Sequence, residues 1–364
     1  MSDNRKIRVA ITHGDTNGIG YELIFKTFSA PEMLELCTPI IYGSPKVAAY
    51  HRNALGIEAS YNVIAHAGEA KDGRVNLLTT FDEEVKVEWG TPTEEASHAA
   101  LVALDKAVVD FHDQLYDVLV TTPVTAGCVA GHGLQVRGQM GYIGECFEER
   151  DQAMTILVND YLRIGLMTDH VAVKDIAKDI TAERLTDRIV GFARTLKRDF
   201  RISNPRIAVL ALNPTIGAEE SAVIRPVIEQ LTEQKVYAFG PYTADQFFSN
   251  SMYDHFDGVL AMYHDQGMAP FLALTPESGV EMVAGLPMVC TSTLQGVSYD
   301  IAGKGVADES ALRRAIYLAI DAVRNRAMYD EPAAHPLPKL YHEKRDESEK
   351  VRFAVNKKRE EGAK

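Results

Sequence analysis

Short apolar runs alternate along the chain with stretches whose apolar residues recur every three or four positions. The runs Ile7–Thr12, Thr38–Tyr42, Asp117–Thr121, Ala153–Val158, Arg163–Met167, Arg206–Leu212 and Gly258–Tyr263 read as strands. Several are unbroken Val/Ile/Leu segments, the pattern of strands covered on both faces by helices. Between them, Thr181–Phe200 sets Leu185, Ile189, Phe192 and Leu196 on one helical face, with Thr181 as N-cap and Glu183 in the first turn. Glu309–Arg326 repeats the pattern through Leu312, Ile316, Ala319, Ile320 and Val323. The alternation predicts an α/β protein with a mostly parallel sheet and helices on both faces.

Composition narrows the function classes. At 364 residues, 46% hydrophobic and 24% charged, the chain can bury a sizeable core, which excludes wholesale disorder. Its 38 basic and 51 acidic residues leave a net charge of −13, the wrong sign for a general nucleic-acid binder. Apolar runs are too short for a membrane-spanning helix, and Met1–Lys6 leads straight into a strand without a secretory signal. Cys37, Cys128, Cys146 and Cys290 show no CxxC spacing and read as free thiols in a reducing compartment. A cytoplasmic protein without nucleic-acid or membrane partners is expected. From Lys339 to Lys364 the chain is mostly charged, a solvated helix or a mobile appendage.

Five segments could carry chemistry. Gly14–Glu22 follows a strand and opens a helix; its glycines suit an anion-binding turn or simply a tight turn, and the spacing is not GxGxxG. Met262–Pro270 carries His264, Asp265 and Gln266 at a strand end, where open α/β sheets bind ligands. Thr168-Asp169-His170 sits at another strand end, so two histidines could converge on one metal. Leu212–Thr215 follows a third strand. The glycine-rich stretches Gly285–Pro287 and Asp300–Gly305, with Cys290–Ser292 between them, suit a cofactor wall, a hinge or plain turns.

Taken in order, these segments resemble the 4-hydroxythreonine-4-phosphate dehydrogenase (PdxA) family of vitamin B6 synthesis. The resemblance runs from about Ile7 to Arg326. It rests on Ile11–Glu22, Thr122–Val124, Phe147–Arg150, Thr168–His170, Leu212–Pro214, Gly240-Pro241 with Ala244-Asp245, Ala261–Gly267, Gly285–Pro287 and Asp300–Gly305. It implies two α/β/α domains around a cleft, similar to isocitrate and isopropylmalate dehydrogenases. In this chain they would comprise residues 1–125 plus 299–335 and residues 126–298, followed by a tail at 336–364. It also implies a homodimer whose site borrows a metal histidine from the neighbouring subunit, with a small-molecule ligand in the cleft. The family oxidises a secondary alcohol with NAD and a divalent metal held by three histidines. Carried over, metal ligation falls to His170 and His264, cofactor contacts to Asn213, Gly285 and Pro287, and catalysis to Asp265 and Asp245.

Other working positions depart from the family pattern. The third metal histidine is replaced by Thr215, and the loop after it is shortened to Ile216–Glu220. The substrate positions fall at Ala126 and Leu272 for lysines, Ile143 and Gly144 for His and Thr, Glu281 for Asn and Cys290 for Arg. Each lost charge-assisted hydrogen bond is worth roughly 1.5–3 kcal/mol, so such a pocket is hostile to a phosphate dianion. A two-histidine site without its third ligand is expected to hold metal weakly. The readings that follow are an oxidoreductase with its reaction impaired or redirected, a non-catalytic homologue with a binding or regulatory role, and a small-molecule or metal sensor.

Overall fold

The computed structural model describes residues 5–81, 84–125, 138–275 and 279–334. Ala126, Cys128 and the charged tail lie outside the described residues. The chain divides into a large unit ending at Ala327 and a short C-terminal unit beginning at Met328.

The strands are β1 (Ile7–Thr12), β2 (Cys37–Gly43), β3 (Asn62–Ile64), β4 (Asn76–Thr79), β5 (Val118–Thr121) and β6 (Met154–Val158). They continue with β7 (Arg163–Leu166), β8 (Ile207–Leu210), β9 (Ala238–Tyr242), β10 (Gly258–Ala261), β11 (Val280–Ala284) and β12 (Val289–Thr293). One twelve-stranded sheet holds them in the order β3-β4-β2-β1-β5-β12-β11-β6-β7-β10-β8-β9. The pairs β11/β12, β11/β6 and β6/β7 are antiparallel. The remaining pairs are parallel. The sheet is therefore two parallel blocks running in opposite directions, joined through β11 and β6. All seven strands expected from the sequence form; β3, β4, β9, β11 and β12 are additional.

Helices cover both faces. Thr181 caps the helix Ala182–Arg198 by accepting a hydrogen bond from the Arg184 amide, which satisfies one orphan N–H of the first turn. Leu185, Ile189, Phe192 and Leu196 of that helix are completely buried, as their spacing predicts. Leu312, Ala315, Ile316 and Ala319 of Ser310–Ala334 are likewise buried. Among the described residues no helix is long and apolar enough to cross a membrane, and Cys37, Cys146 and Cys290 are free thiols.

The glycine-rich turn after β1 is a structural clamp. A Cβ on Gly14 would lie 2.4 Å from the Pro123 carbonyl oxygen, and one on Gly20 2.0 Å from that of His13, so both positions need glycine for close packing. Asp15 accepts from the Asn17 amide and the Tyr299 hydroxyl. Asn17 donates to Thr91 and Thr93 and accepts from the Glu88 amide. These polar groups are spent inside the protein, so the tight-turn reading holds. Gly303 of the last glycine-rich stretch packs against Trp89 in the same way.

Behind this turn His13 stacks on Tyr21 at 5.2 Å, and His51 meets Trp89 at 4.4 Å while sharing a 2.8 Å hydrogen bond with the Thr16 carbonyl. Burial drives both rings toward the neutral form, lowering His13 to about 4 and His51 to about 3 from an ordinary 6.5. Below pH 6.5 the unfolded chain takes up two protons that the fold refuses. Glu281 acts in the opposite sense between 4.5 and about 7, because burial raises its folded pKa. The balance is about one proton bound preferentially by the unfolded chain, or roughly 1 kcal/mol of stability lost per pH unit on acidification. The urea midpoint is expected to fall between pH 6.5 and pH 5. A flat or rising midpoint would show that these histidines are not buried neutral.

Candidate active site

The strands β7, β10 and β8 run parallel and deliver their C-terminal ends to one sheet edge. Two links lace those ends together. The Met167 amide donates to the Ala261 carbonyl and the Thr168 hydroxyl to the Met262 carbonyl, both at 2.8 Å. Buried Gln266 accepts from the Met262 amide and donates to the Ala211 carbonyl, both at 2.7 Å. Of the His-Asp-Gln cluster, the glutamine is thus a brace between β10 and β8, which leaves His264 and Asp265 for chemistry.

His170 and His264 stand with ring centroids 5.0 Å apart. His170 holds a left-handed backbone at φ 47°, an unusual conformation for a residue other than glycine. Asp265 pairs with His264 Nδ1 at 2.8 Å, which orients the ring and leaves Nε2 available. Asp169 pairs with His170 Nδ1 at 2.6 Å, and its other oxygen accepts from the Thr155 hydroxyl at 2.7 Å. Burial works to raise the Asp169 pKa, but His170 and Thr155 outweigh it and hold the group below the ordinary carboxylate range. Ligand atoms of Asp169, His170 and His264 lie within 4.8 Å of one another. A cavity of about 350 Å³ opens here, lined by Thr168, His170, Tyr263, His264 and Asp265 among others. Two imidazoles and a carboxylate are a donor set suited to a divalent transition ion, so the residues fit a metal.

Glu281 on β11 lies beside this group. Burial pushes its pKa up to about 7, neighbouring Asp169 adds to the shift and His170 opposes it. Cys290, fully buried, is raised by burial and by Glu281.

The other expected positions divide sharply. Ile143 is fully buried in a hydrophobic cluster with Val283, Leu286 and Cys290. Gly144 is buried too, and a Cβ there would stand 3.3 Å from that of Ala153. These residues and Cys290 are buried in packing contacts. Their helix, Gly138–Glu145, instead presents buried Gln139, which donates to Ser292 Oγ at 3.1 Å and leaves its own Oε1 without a partner. A Cβ on neighbouring Gly138 would lie 3.9 Å from His170 Cε1. Leu272 is 39% exposed on the helix His264–Leu274. Asp245 is exposed in the first turn after β9, two strands from β10.

The residues expected to contact the dinucleotide are engaged elsewhere. Asn213 donates its side-chain amide to Glu219 and Glu220. Gly285, at φ 84°, packs where a Cβ would lie 2.2 Å from the Gln152 carbonyl oxygen. The carbonyls of Leu286 and Pro287 accept from Arg326, which also forks onto Asp199 at 2.8 and 2.9 Å. Gly285 and Pro287 line a cavity of about 730 Å³ whose wall also carries Arg188, Arg194, Arg198 and Arg326 and four carboxylates.

Thr215 is exposed past β8. The short loop around it is closed by Glu220, whose buried carboxylate accepts from the Asn213 amide at 2.8 Å and the Gly217 amide at 2.7 Å. Sequence reading passed over Glu220, Gln139 and Thr155. It also read Asp169 only as a neighbour of His170, although a carboxylate beside a strand-end histidine was the available signal.

A mixed sheet of two parallel blocks, with a histidine–carboxylate group at the strand ends of one block, defines the class as α/β. The family model described as "Pyridoxal phosphate biosynthetic protein PdxA" matches residues 35–319. A 4-hydroxythreonine-4-phosphate dehydrogenase of Bacteroides thetaiotaomicron is 47% identical over 359 residues, covering 97% of this chain and 98% of the relative. One from Sulfurihydrogenibium is 32% identical, covering 86% and 98%. The crystal structure of a 4-hydroxythreonine-4-phosphate dehydrogenase from Burkholderia phymatum superposes with a TM-score of 0.69 at 27% identity, covering 88% of this chain and 99% of that one. The chain belongs to the PdxA family.

Glu220→Ala removes the acceptor that closes the Asn213–Gly217 loop. A loss of about 1–3 kcal/mol in urea unfolding is expected, and about half of it for Glu220→Gln. An unchanged midpoint for Glu220→Ala would show that the loop closes without this carboxylate.

Proposed function

We propose that the chain is a PdxA-type oxidoreductase that acts on the secondary alcohol of a small hydroxylated acid, with the substrate preference redirected away from a phosphorylated compound. The observation that carries this reading is the convergence of His170, His264 and Asp169 at neighbouring strand ends, where both histidines line one cavity. A divalent ion bound there supplies Lewis acidity toward an alcohol oxygen. Asp265 orients His264, and Thr155 holds Asp169. NAD as hydride acceptor, a cytoplasmic location, a homodimer and a cleft between residues 1–125 plus 299–335 and residues 126–298 belong to this proposal through the family. No catalytic step is assigned to the dinucleotide.

The redirected preference rests on the former pocket positions. Ile143 and Cys290 are fully buried in the apolar core, Leu272 is apolar and Glu281 is acidic. None of these supplies the cations or donors that must replace the hydration of a phosphate dianion. The same observation favours a second reading, a non-catalytic homologue with a binding or regulatory role.

NADH formation at 340 nm distinguishes them. With 4-hydroxythreonine 4-phosphate, NAD and a divalent metal, the rate is expected to be at least about 100-fold below that of the Bacteroides relative, equivalent to the loss of two charge-assisted contacts. A rate equal to that relative would overturn the redirected preference and leave the oxidoreductase reading intact. Absence of turnover with a panel of unphosphorylated hydroxy acids, together with no calorimetric NAD binding, would favour the non-catalytic reading. In sedimentation at micromolar concentration the protein is expected at twice its 40.1 kDa chain mass, and a monomer would count against the dimer.

A further inference from the structure

We infer that Asp169 is a protein ligand of a divalent cation in this chain, completing with His170 and His264 a two-histidine, one-carboxylate site. The inference deepens the proposed function at its metal, and it stands or falls on binding rather than on turnover.

Four observations support it. First, the three side chains bring ligand atoms within 4.8 Å of one another, and this is the group among the described residues with that geometry. Second, two of the donors are oriented from behind. Asp265 holds the His264 ring through Nδ1, and Thr155, buried on β6, holds one oxygen of Asp169. Metal ligands are commonly fixed this way by outer hydrogen bonds. Third, His170 keeps its left-handed backbone at φ 47°. A β-carbon makes that conformation costly, and such strain concentrates where a side chain must point in one direction. Fourth, the two imidazoles already stand side by side, with ring centroids 5.0 Å apart.

Thr215 does not compete as a donor. A threonine hydroxyl is neutral and is not among the usual protein donors to zinc or other divalent transition ions. It also sits exposed on a loop whose amides are turned onto Glu220. Asp169 adds an anionic oxygen, so the rebuilt set carries one negative charge that an all-histidine set lacks. A harder donor of this kind also widens the range of ions accepted, toward manganese and iron.

The plain alternative is that Asp169 only ion-pairs with His170. Titration of the purified full-length protein with Co²⁺, followed by its visible absorption bands, separates the two. About one Co²⁺ per chain is expected, with Asp169→Asn weakening binding about tenfold or more and His264→Ala abolishing it. Asn keeps the shape and the acceptor toward Thr155 but also weakens the pairing with His170 Nδ1, so the donor count at the metal decides whether Asp169 is itself a ligand. Thr215→Ala is expected to change the dissociation constant less than twofold. X-ray absorption of the unaltered protein loaded with zinc provides a measurement that does not depend on any variant folding. Two imidazoles per zinc with an oxygen donor are expected. Unchanged Co²⁺ affinity in Asp169→Asn, an equal loss in Thr215→Ala, three imidazoles per zinc, or no metal bound would each overturn the assignment. Failure of the dehydrogenase assay alone would leave it standing.

Discussion

The reversal of strand direction between β12 and β7 governs what this fold can present. Because β11 and β6 run antiparallel to their neighbours, the two parallel blocks point opposite ways. Parallel strands send their C-terminal loops to one edge, so each block has its own functional edge. The clamp formed by Asp15, Asn17 and Tyr299 lies at the end of β1 and is consumed by packing. The block β7-β10-β8-β9 carries His170, His264 and Asn213 at its strand ends. The bond from Thr168 to Met262 and the two bonds of Gln266 fix three of those ends relative to one another. The histidines meet because strand register puts them there.

Much of this was legible in the sequence. The seven strands with continuous apolar character and the two long amphipathic helices formed where periodicity placed them, within a few residues at their ends. Strands β3 and β4 are short, and β9 contains Gly240-Pro241, so their patterns carry little signal. Strands β11 and β12 read VEMVA and VCTST, with polar residues inside. Their pairing is long-range, and no local periodicity announces that β11 runs against its neighbours. The paired histidines were legible because both follow strong strands.

The rest of the site was not legible for two different reasons. Residues 142–145 were assigned by motif order, yet a helix turns its faces every 3.6 residues, so small offsets move a side chain from cavity to core. Ile143 and Gly144 went inward, while Gln139, one turn earlier, met Ser292. Asp169 is the opposite case. Its position was plain, but its role depends on where Thr155 of β6 and His264 of β10 stand in space, and spacing along the chain does not report that.

The altered pocket and the carboxylate at the metal group follow one electrostatic logic. A site that binds a phosphate dianion needs a positive surplus, and added carboxylates oppose it. Once Leu272 and Cys290 stand where the family places cations, that constraint is gone. Glu281 stands beside Asp169, and burial and that neighbouring carboxylate raise its pKa. Ile143, Val283, Leu286 and Cys290 belong to one apolar cluster. The negative charge that remains is concentrated around two imidazoles, an arrangement that attracts a cation. On the proposed reading, the same replacements that disfavour a phosphate in the cavity favour a divalent ion at its histidine end.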